Sequence, residues 1–243
     1  MFRFKAILIF IAGAAIAGCA TSGSQPGQPA EEQQLASDAA GVLQTQMEKP
    51  MNQRIPAALV ENARCIGVFP AVNQAAFIVG GRHGRGLIAC RQSNSQGWND
   101  AAPAVYSLSA GSIGFQAGAE QSSVILLFMT PQSTQRLTDN NVKLGADVGI
   151  AAGPLGWNAD VHRTPAPVIS YQSSKGLFAG VNLNGTSMSF DQDATQNVYG
   201  QQVSDPGQVL FQSNRVPSSV DRFSQALAQL ESSSRQQPGY GSP

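Results

Sequence analysis

CIGVFPAVNQAAFIVGGRHGRGLIACR, residues 65–91, decides how the rest of the chain is read. Its apolar runs are strand-like, and its second half places four glycines and three arginines within residues 80–91. A glycine-rich loop that cradles phosphate normally leads from a strand into a helix N-terminus, where free N–H groups attract the anion. Here the residues after the glycines are Leu87, Ile88, Ala89 and Cys90, which read as another strand. The nucleotide-loop reading therefore fails on context. GGRHG reads instead as a hairpin turn whose glycines permit positive φ, and 65–91 as a three-strand meander.

That reading has two consequences. Arg82, His83 and Arg85 are lifted to the tip of a turn, where two guanidiniums can grip a lipid phosphate bidentately. The alternative is a pair of solvated charges guarding a hairpin. The meander also places Cys65 and Cys90 diagonally opposite, beyond the ~7 Å Cα separation a disulfide spans. Two buried thiols are then expected, although an even cysteine pair in an oxidising compartment suggests a bond.

Outward from this stretch the period is two. Ile113, Phe115, Ala117 and Ala119 alternate with small or polar residues, and so do 142–150, 155–161 and 177–183. Such alternation marks half-buried antiparallel strands. VILLFM (124–129) reads as a strand buried on both faces. Turns are expected at Gly153-Pro154, Ser174-Lys175-Gly176 and Asn184-Gly185, the last a hairpin signal. About nine or ten short strands are expected, curled or barrel-like. The many glycines would let the sheet bend or another element approach closely.

Helical signals lie at the edges. Leu35, Ala39, Val42 and Met47 keep helical spacing until Pro50. A second helix is expected over 55–64 with Pro56 in its first turn, and a third where Thr130-Pro131 supplies an N-cap and a first-turn proline. Val220, Phe223, Leu227 and Leu230 form one apolar stripe with a start signal at Ser218 and Asp221. The fold class is α+β, mainly antiparallel β, with N-terminal helices, one short mid-chain helix and a C-terminal helix.

The N-terminus reads as an address. Arg3 and Lys5 precede an apolar run, Ala6–Ala17, too short to span a bilayer. Ile16-Ala17-Gly18-Cys19 then resembles the lipobox of bacterial lipoproteins, with Cys19 diacylated and becoming the new N-terminus. Alanine rather than aspartate at position 20 resembles outer-membrane sorting, facing periplasm or cell surface. Acyl chains at about 0.8 kcal/mol per buried CH₂ make such an anchor hard to reverse. The organisation expected is a signal peptide over 1–18, a flexible tether over 19–34, one domain over 35–231 and a disordered tail over 232–243. Loss of the signal lowers Lys+Arg from 15 to 13 against 15 Asp+Glu. This mildly acidic balance gives no reason to expect nucleic acid.

No catalytic set assembles. SAGSIG (109–114) lacks the first glycine of a nucleophile elbow, and no Walker loop or His-Glu-x-x-His is present. His83 and His162 have no metal-spaced neighbours. Asp191, Asp193, Thr195 and Asn197 alternate oxygens like a calcium loop, but Gln196 and Gln202 replace the glycine and glutamate such a loop needs. A polar loop after a strand is expected there, with no metal and no cofactor.

Several motifs in order carry a family resemblance: IPAALVENARCIGVFP, AAFIVGGRHGRGLIACR, the Gly97-Trp98 pair, GSIGFQAGAEQSSVILLFMT, KLGADVGIAAGPLG and ISYQSSKGLFAGVNLNGTSMSFD. Over roughly 55–200 the chain resembles the SYLF-domain family, found in bacterial lipoproteins and eukaryotic membrane-traffic proteins. The resemblance implies a β-rich lipid-binding domain; eukaryotic members bind phosphoinositides, and some bind actin. What carries over is affinity for anionic phospholipid headgroups, with Lys175 in SYQSSKGLFAG joining Arg82, His83 and Arg85 as candidate contacts. An amphipathic membrane helix would have to be 35–48, but Glu31, Glu32, Asp38 and Glu48 against Lys49 alone match an anionic surface poorly. The function expected is a non-enzymatic, outer-membrane-anchored lipoprotein that binds anionic phospholipids. The alternatives are an envelope structural or protein-interaction lipoprotein, or a hydrolase with a deep pocket and a strongly shifted carboxylate or histidine.

Overall fold

The computed structural model describes residues 29–92, 97–139, 141–156, 166–174, 176–200, 202–213 and 215–236. Every element falls inside 29–236, so a chain from residue 20 onward keeps the whole described fold. The lipobox, Cys19, His162 and Lys175 lie outside the described residues.

The meander is replaced by a single long strand. β1 runs Cys65–Cys90 and pairs antiparallel along its length with β2, Pro103–Phe128, from Cys65↔Phe128 to Ala89↔Pro103. GGRHG is therefore strand, not turn. One register shift falls between Phe69 and Val72, where Pro70 has no N–H to give the ladder, and another between Ala76 and Ile78.

The two-stranded ribbon curls until the ends of β1 meet. Arg91 N–H donates to Arg64 O at 2.8 Å, and Cys65 and Cys90 form a disulfide with their Cα atoms 4.0 Å apart. Both cysteines are buried. The expectation of two thiols fails because the meander it assumed does not exist; curling brings together what a flat meander would hold apart.

Glycine makes the closure possible. A Cβ on Gly86 would lie 2.4 Å from Val68 O and 2.5 Å from Phe69 Cδ1, and one on Gly84 would lie 2.8 Å from Ala71 O. The two halves of β1 thus press backbone to backbone, leaving no room for a methyl group. The glycines serve close approach rather than a turn.

β2 is the centre of a seven-stranded sheet among the described residues. Its free edge is shared by β5 (Val168–Ser174), which pairs with Ser123–Phe128, and β7 (Ser187–Phe190), which pairs with Tyr106–Ser109. β3 (Asn141–Lys143) extends β7, β4 (Ile150–Ala152) runs parallel to β5, and β6 (Leu177–Gly180) closes a hairpin on β5. The Ser174–Gly176 turn is as expected, with Gly176 at φ 78°. VILLFM is also as read: Val124 to Phe128 are at most 1% exposed.

Other period-two stretches are interrupted. Between β3 and β4, Asp147 accepts from Lys143 N–H and turns the chain, so 142–150 is two short strands rather than one. Leu155 and Gly156 are not strand, and 157–161 lies outside the described residues. Asn184-Gly185 is a turn, but its N–H and that of Leu144 reach across to each other's segment instead of closing a hairpin between neighbours.

Helices cover the sheet. α1 (Pro29–Glu48) starts before Leu35, so the last part of the expected tether is helical. It buries Ala36, Ala39, Ala40 and Leu43 against the body and packs on α6 (Asp221–Ser234), whose stripe of Phe223, Leu227 and Leu230 is buried as expected. Val220, not Ser218, stands at the N-cap of α6. α2 (Ala57–Asn62) follows Pro56, and α3 (Pro131–Gln135) opens with a capping box in which Thr130 accepts from Ser133 N–H. Two helices were not expected: α4 (Gln192–Tyr199) and α5 (Pro206–Leu210).

Replacing both Cys65 and Cys90 by Ala should lower the unfolding free energy by about 3 kcal/mol, the loop entropy of a ring of roughly this size. Urea unfolding of the two chains measures it. Gly86→Ala should cost about 3 kcal/mol, at the upper end for overpacking because the obstructing atoms are backbone and ring. Thermal melts of Gly86→Ala against the parent check the effect, and an unchanged midpoint would contradict the closure.

Candidate functional site

Since GGRHG is strand, successive side chains leave on opposite sides. Arg82 shares a face with Gly84 and Gly86, and its Nη2 and Nε donate to Gln74 Oε1 at 2.9 and 3.3 Å. Arg85 leaves on the other side and meets the helices. The hairpin turn expected to hold both arginines at one tip is absent, and the strand separates them.

Arg85 is a hub of ion pairs. Its Nη1 lies 2.5 Å from Glu31, its Nη2 2.9 Å from Glu32, and its Nε 3.2 Å from Asp191 Oδ2. Glu31 and Glu32 belong to the first turns of α1. Asp191 is the N-cap of α4, its Oδ1 accepting from Ala194 N–H at 3.1 Å. One guanidinium thus ties α1, β1 and α4 together. The alternating oxygens of 191–197 are explained by the same fact: they form a capped helix, with Thr195 Oγ1 accepting from Val105 N–H, rather than a polar loop.

Burial pushes the carboxyl of Glu32 above its ordinary value, although Arg85 opposes the shift. Burial also opposes charge on Arg85, but Glu32, Asp191 and Glu31 outweigh it and hold the guanidinium above its ordinary value. Glu32 is fully buried, and its Oε2 has no hydrogen-bond partner. The cluster is a fastening in which three carboxylates hold Arg85.

Arg82 and its neighbour His83, whose side chains leave β1 on opposite sides, both border a different place. Both line an open cleft of about 540 Å³ with Asn73, Gln74, Glu120 and Gln121. His83 is exposed. Among the described residues, the charge of Arg82 meets only a neutral amide oxygen and no carboxylate within ion-pair distance. Glu120, the cross-strand partner of Gln74, also lines this cleft and accepts a hydrogen bond from the Ser174 hydroxyl of the β5–β6 hairpin. A second cleft of about 600 Å³ shares Gln121 and is walled by α1 and that hairpin, with Ser37, Asp38, Ser123 and Ser173 among its lining residues. The two clefts lie side by side on one flank of the molecule.

Sequence reasoning missed a second fastening. Arg91 pairs with Glu231 at 2.8 Å, donates from Nε to Ala63 O at 3.0 Å and stacks 4.6 Å from the ring of buried Trp98. It joins the end of β1 to α6. The Gly97-Trp98 motif was visible, but its cationic partner and the distant Glu231 were not. Among the described residues no group of three or more His, Cys, Asp or Glu could hold a metal, and no helix is long and apolar enough to cross a membrane.

A family model described as Ysc84, Las17-binding protein actin regulator, matches residues 109–230. Among curated proteins, an SH3 domain-containing protein of Schizosaccharomyces pombe is 33% identical over 151 residues, 60% of this chain and 34% of that protein. LAS seventeen-binding protein 3 of Saccharomyces cerevisiae is 28% identical over 155 residues, 61% of this chain and 33% of its own length. Human SH3 domain-containing YSC84-like protein 1 is 28% identical over 153 residues, 61% of this chain and 44% of its own. The chain therefore spans less than half the length of these relatives.

Folding raises the affinity of Glu32 for a proton, so between its raised value and the ordinary 4.5 the folded chain binds more protons than the unfolded one. The contribution of this group to stability should therefore grow as pH falls through the raised value and level off below 4.5. Urea midpoints of the parent and Glu32→Gln, compared from neutral pH downward, should converge or cross with that sign. A gap that widens in the parent's favour as pH rises would contradict it.

Proposed function

The chain belongs to the Ysc84 family, the SYLF-domain family whose motifs it carries, and on that premise we propose that it is a non-enzymatic binding module for anionic phospholipid headgroups. In this reading acylated Cys19 holds the domain at the outer membrane, and Arg82 with His83 meets the phosphate. The observation that carries it is the cleft in which Arg82 keeps its charge, opposed by Gln74 rather than by an acid. Arg85 has no part in the contact, because three carboxylates already hold it. The buried Cys65–Cys90 disulfide supports an oxidising compartment such as the periplasm. Tethering makes weak headgroup affinity sufficient through effective concentration.

A second reading, protein interaction at the envelope, is favoured by the names of relatives, one of which is called for a protein it binds. The two readings separate in one assay. Residues 20–243 should co-sediment with vesicles of phosphatidylcholine containing cardiolipin or phosphatidylglycerol, more weakly at high salt, and should leave pure phosphatidylcholine vesicles in solution. Arg82→Ala with His83→Ala should weaken binding about fivefold, since a basic group near an anionic surface contributes about 1 kcal/mol. Undiminished binding by the double variant would remove the cleft from the contact, and no sedimentation of the parent would favour the protein-interaction reading.

A further inference from the structure

Three large apolar side chains are exposed among the described residues: Leu177 at 70%, Met51 at 40% and Phe211 at 39%. Two of them belong to segments that Lys49 and Gly176 bring close. Leu177 is the first strand residue after Gly176 at the turn of the β5–β6 hairpin, and the space beside Gly176 is occupied by the Lys49 ammonium, 3.8 Å from where a Cβ would stand. Met51 follows Lys49 by two residues, in the short 3₁₀ turn Met51–Gln53 that ends the α1 segment. The Lys49 ammonium thus stands beside the turn that carries exposed Leu177, and exposed Met51 lies two residues further along the chain from Lys49.

This spot lies on the flank of the clefts. Gly176 and Phe178 wall the second cleft, Gln121 is common to both clefts, and Ser174 at the base of the hairpin bonds to Glu120 in the first. Scattered single leucines need no explanation. An exposed leucine next to a turn whose glycine faces an ammonium, at the rim of a cleft, is a different arrangement. It matches the layering of a bilayer interface, with phosphates at the level of the cation and acyl carbon just beneath. Lys49 has no ion pair among the described residues, so its charge is available to a phosphate.

We propose that the β5–β6 hairpin turn, through Leu177 with Met51 and Lys49, is the wedge by which this domain enters the surface of a phospholipid bilayer, orienting the Arg82 cleft toward the headgroups. The proposal rests on the headgroup-binding reading and adds to it a depth and an orientation. Leu177 enters the acyl region, Lys49 stays at the phosphates, and α1, whose apolar side is spent on the protein core, stays out of the membrane.

The test uses residues 20–243 carrying Leu177→Cys labelled with an environment-sensitive fluorophore; Cys65 and Cys90 are bonded and buried, so the label is unique. Vesicles are phosphatidylcholine with phosphatidylglycerol, with and without bromine on the acyl chains. The proposal expects a blue shift on vesicle addition and strong quenching by the brominated chains, while a label at exposed Gln208 on the α5 side shows neither. Leu177→Ser with Met51→Ser should bind these vesicles about tenfold more weakly with an unchanged thermal midpoint, the loss expected for about one buried leucine. Binding by sedimentation with the label still in water overturns the wedge and leaves headgroup binding standing. No binding at all overturns both. A blue shift without vesicles that grows with protein concentration overturns the wedge in favour of self-association.

Discussion

The curl of one two-stranded ribbon governs this molecule. A 26-residue strand left flat would span far more than the width of a domain of this size. Here it turns back until its own two halves touch. Two features permit the contact and one locks it. Gly84 and Gly86 remove the side chains that would hold the halves apart, and the Cys65–Cys90 bond closes the ends. A sheet bent this far buries both faces of its closing segment. That is why Ile66, Val68, Phe69, Leu87 and Ile88 are all sealed from solvent.

Every other element takes its position from that ribbon. β2 offers its outer edge in two pieces, one to β7 and one to β5, and the short strands follow from there. The helices are then fastened to β1 by two arginines in different ways. Arg85 gathers acids from α1 and α4, while Arg91 at the strand's end takes Glu231 of α6 and the face of Trp98. Both pairings are partly buried, where removal of one partner leaves a charge uncompensated.

This division of labour bears on function. Three arginines close together in sequence have three roles, and only Arg82 is left with its charge opposed by a neutral group. Strand alternation sends Arg85 to the helices that carry acids and Arg82 to the opposite side, where its nearest partner is the amide of Gln74.

Signals that act within a few residues were legible in the chain. Thr130-Pro131 caps a helix, Ser174–Gly176 turns a hairpin, VILLFM is buried on both faces and the stripe from Val220 to Leu230 seats a helix, because caps, turn dihedrals and apolar periods need no distant partner. The ordered motifs were enough for the family. What they could not supply was the use of the glycines, the pairing of the cysteines and the separation of Arg82 from Arg85. Those depend on contacts such as Arg85 with Glu32, 53 residues apart, which exist only after the ribbon has curled. A glycine that permits a turn and a glycine that permits close approach are the same residue in sequence; the backbone lying against it decides between them.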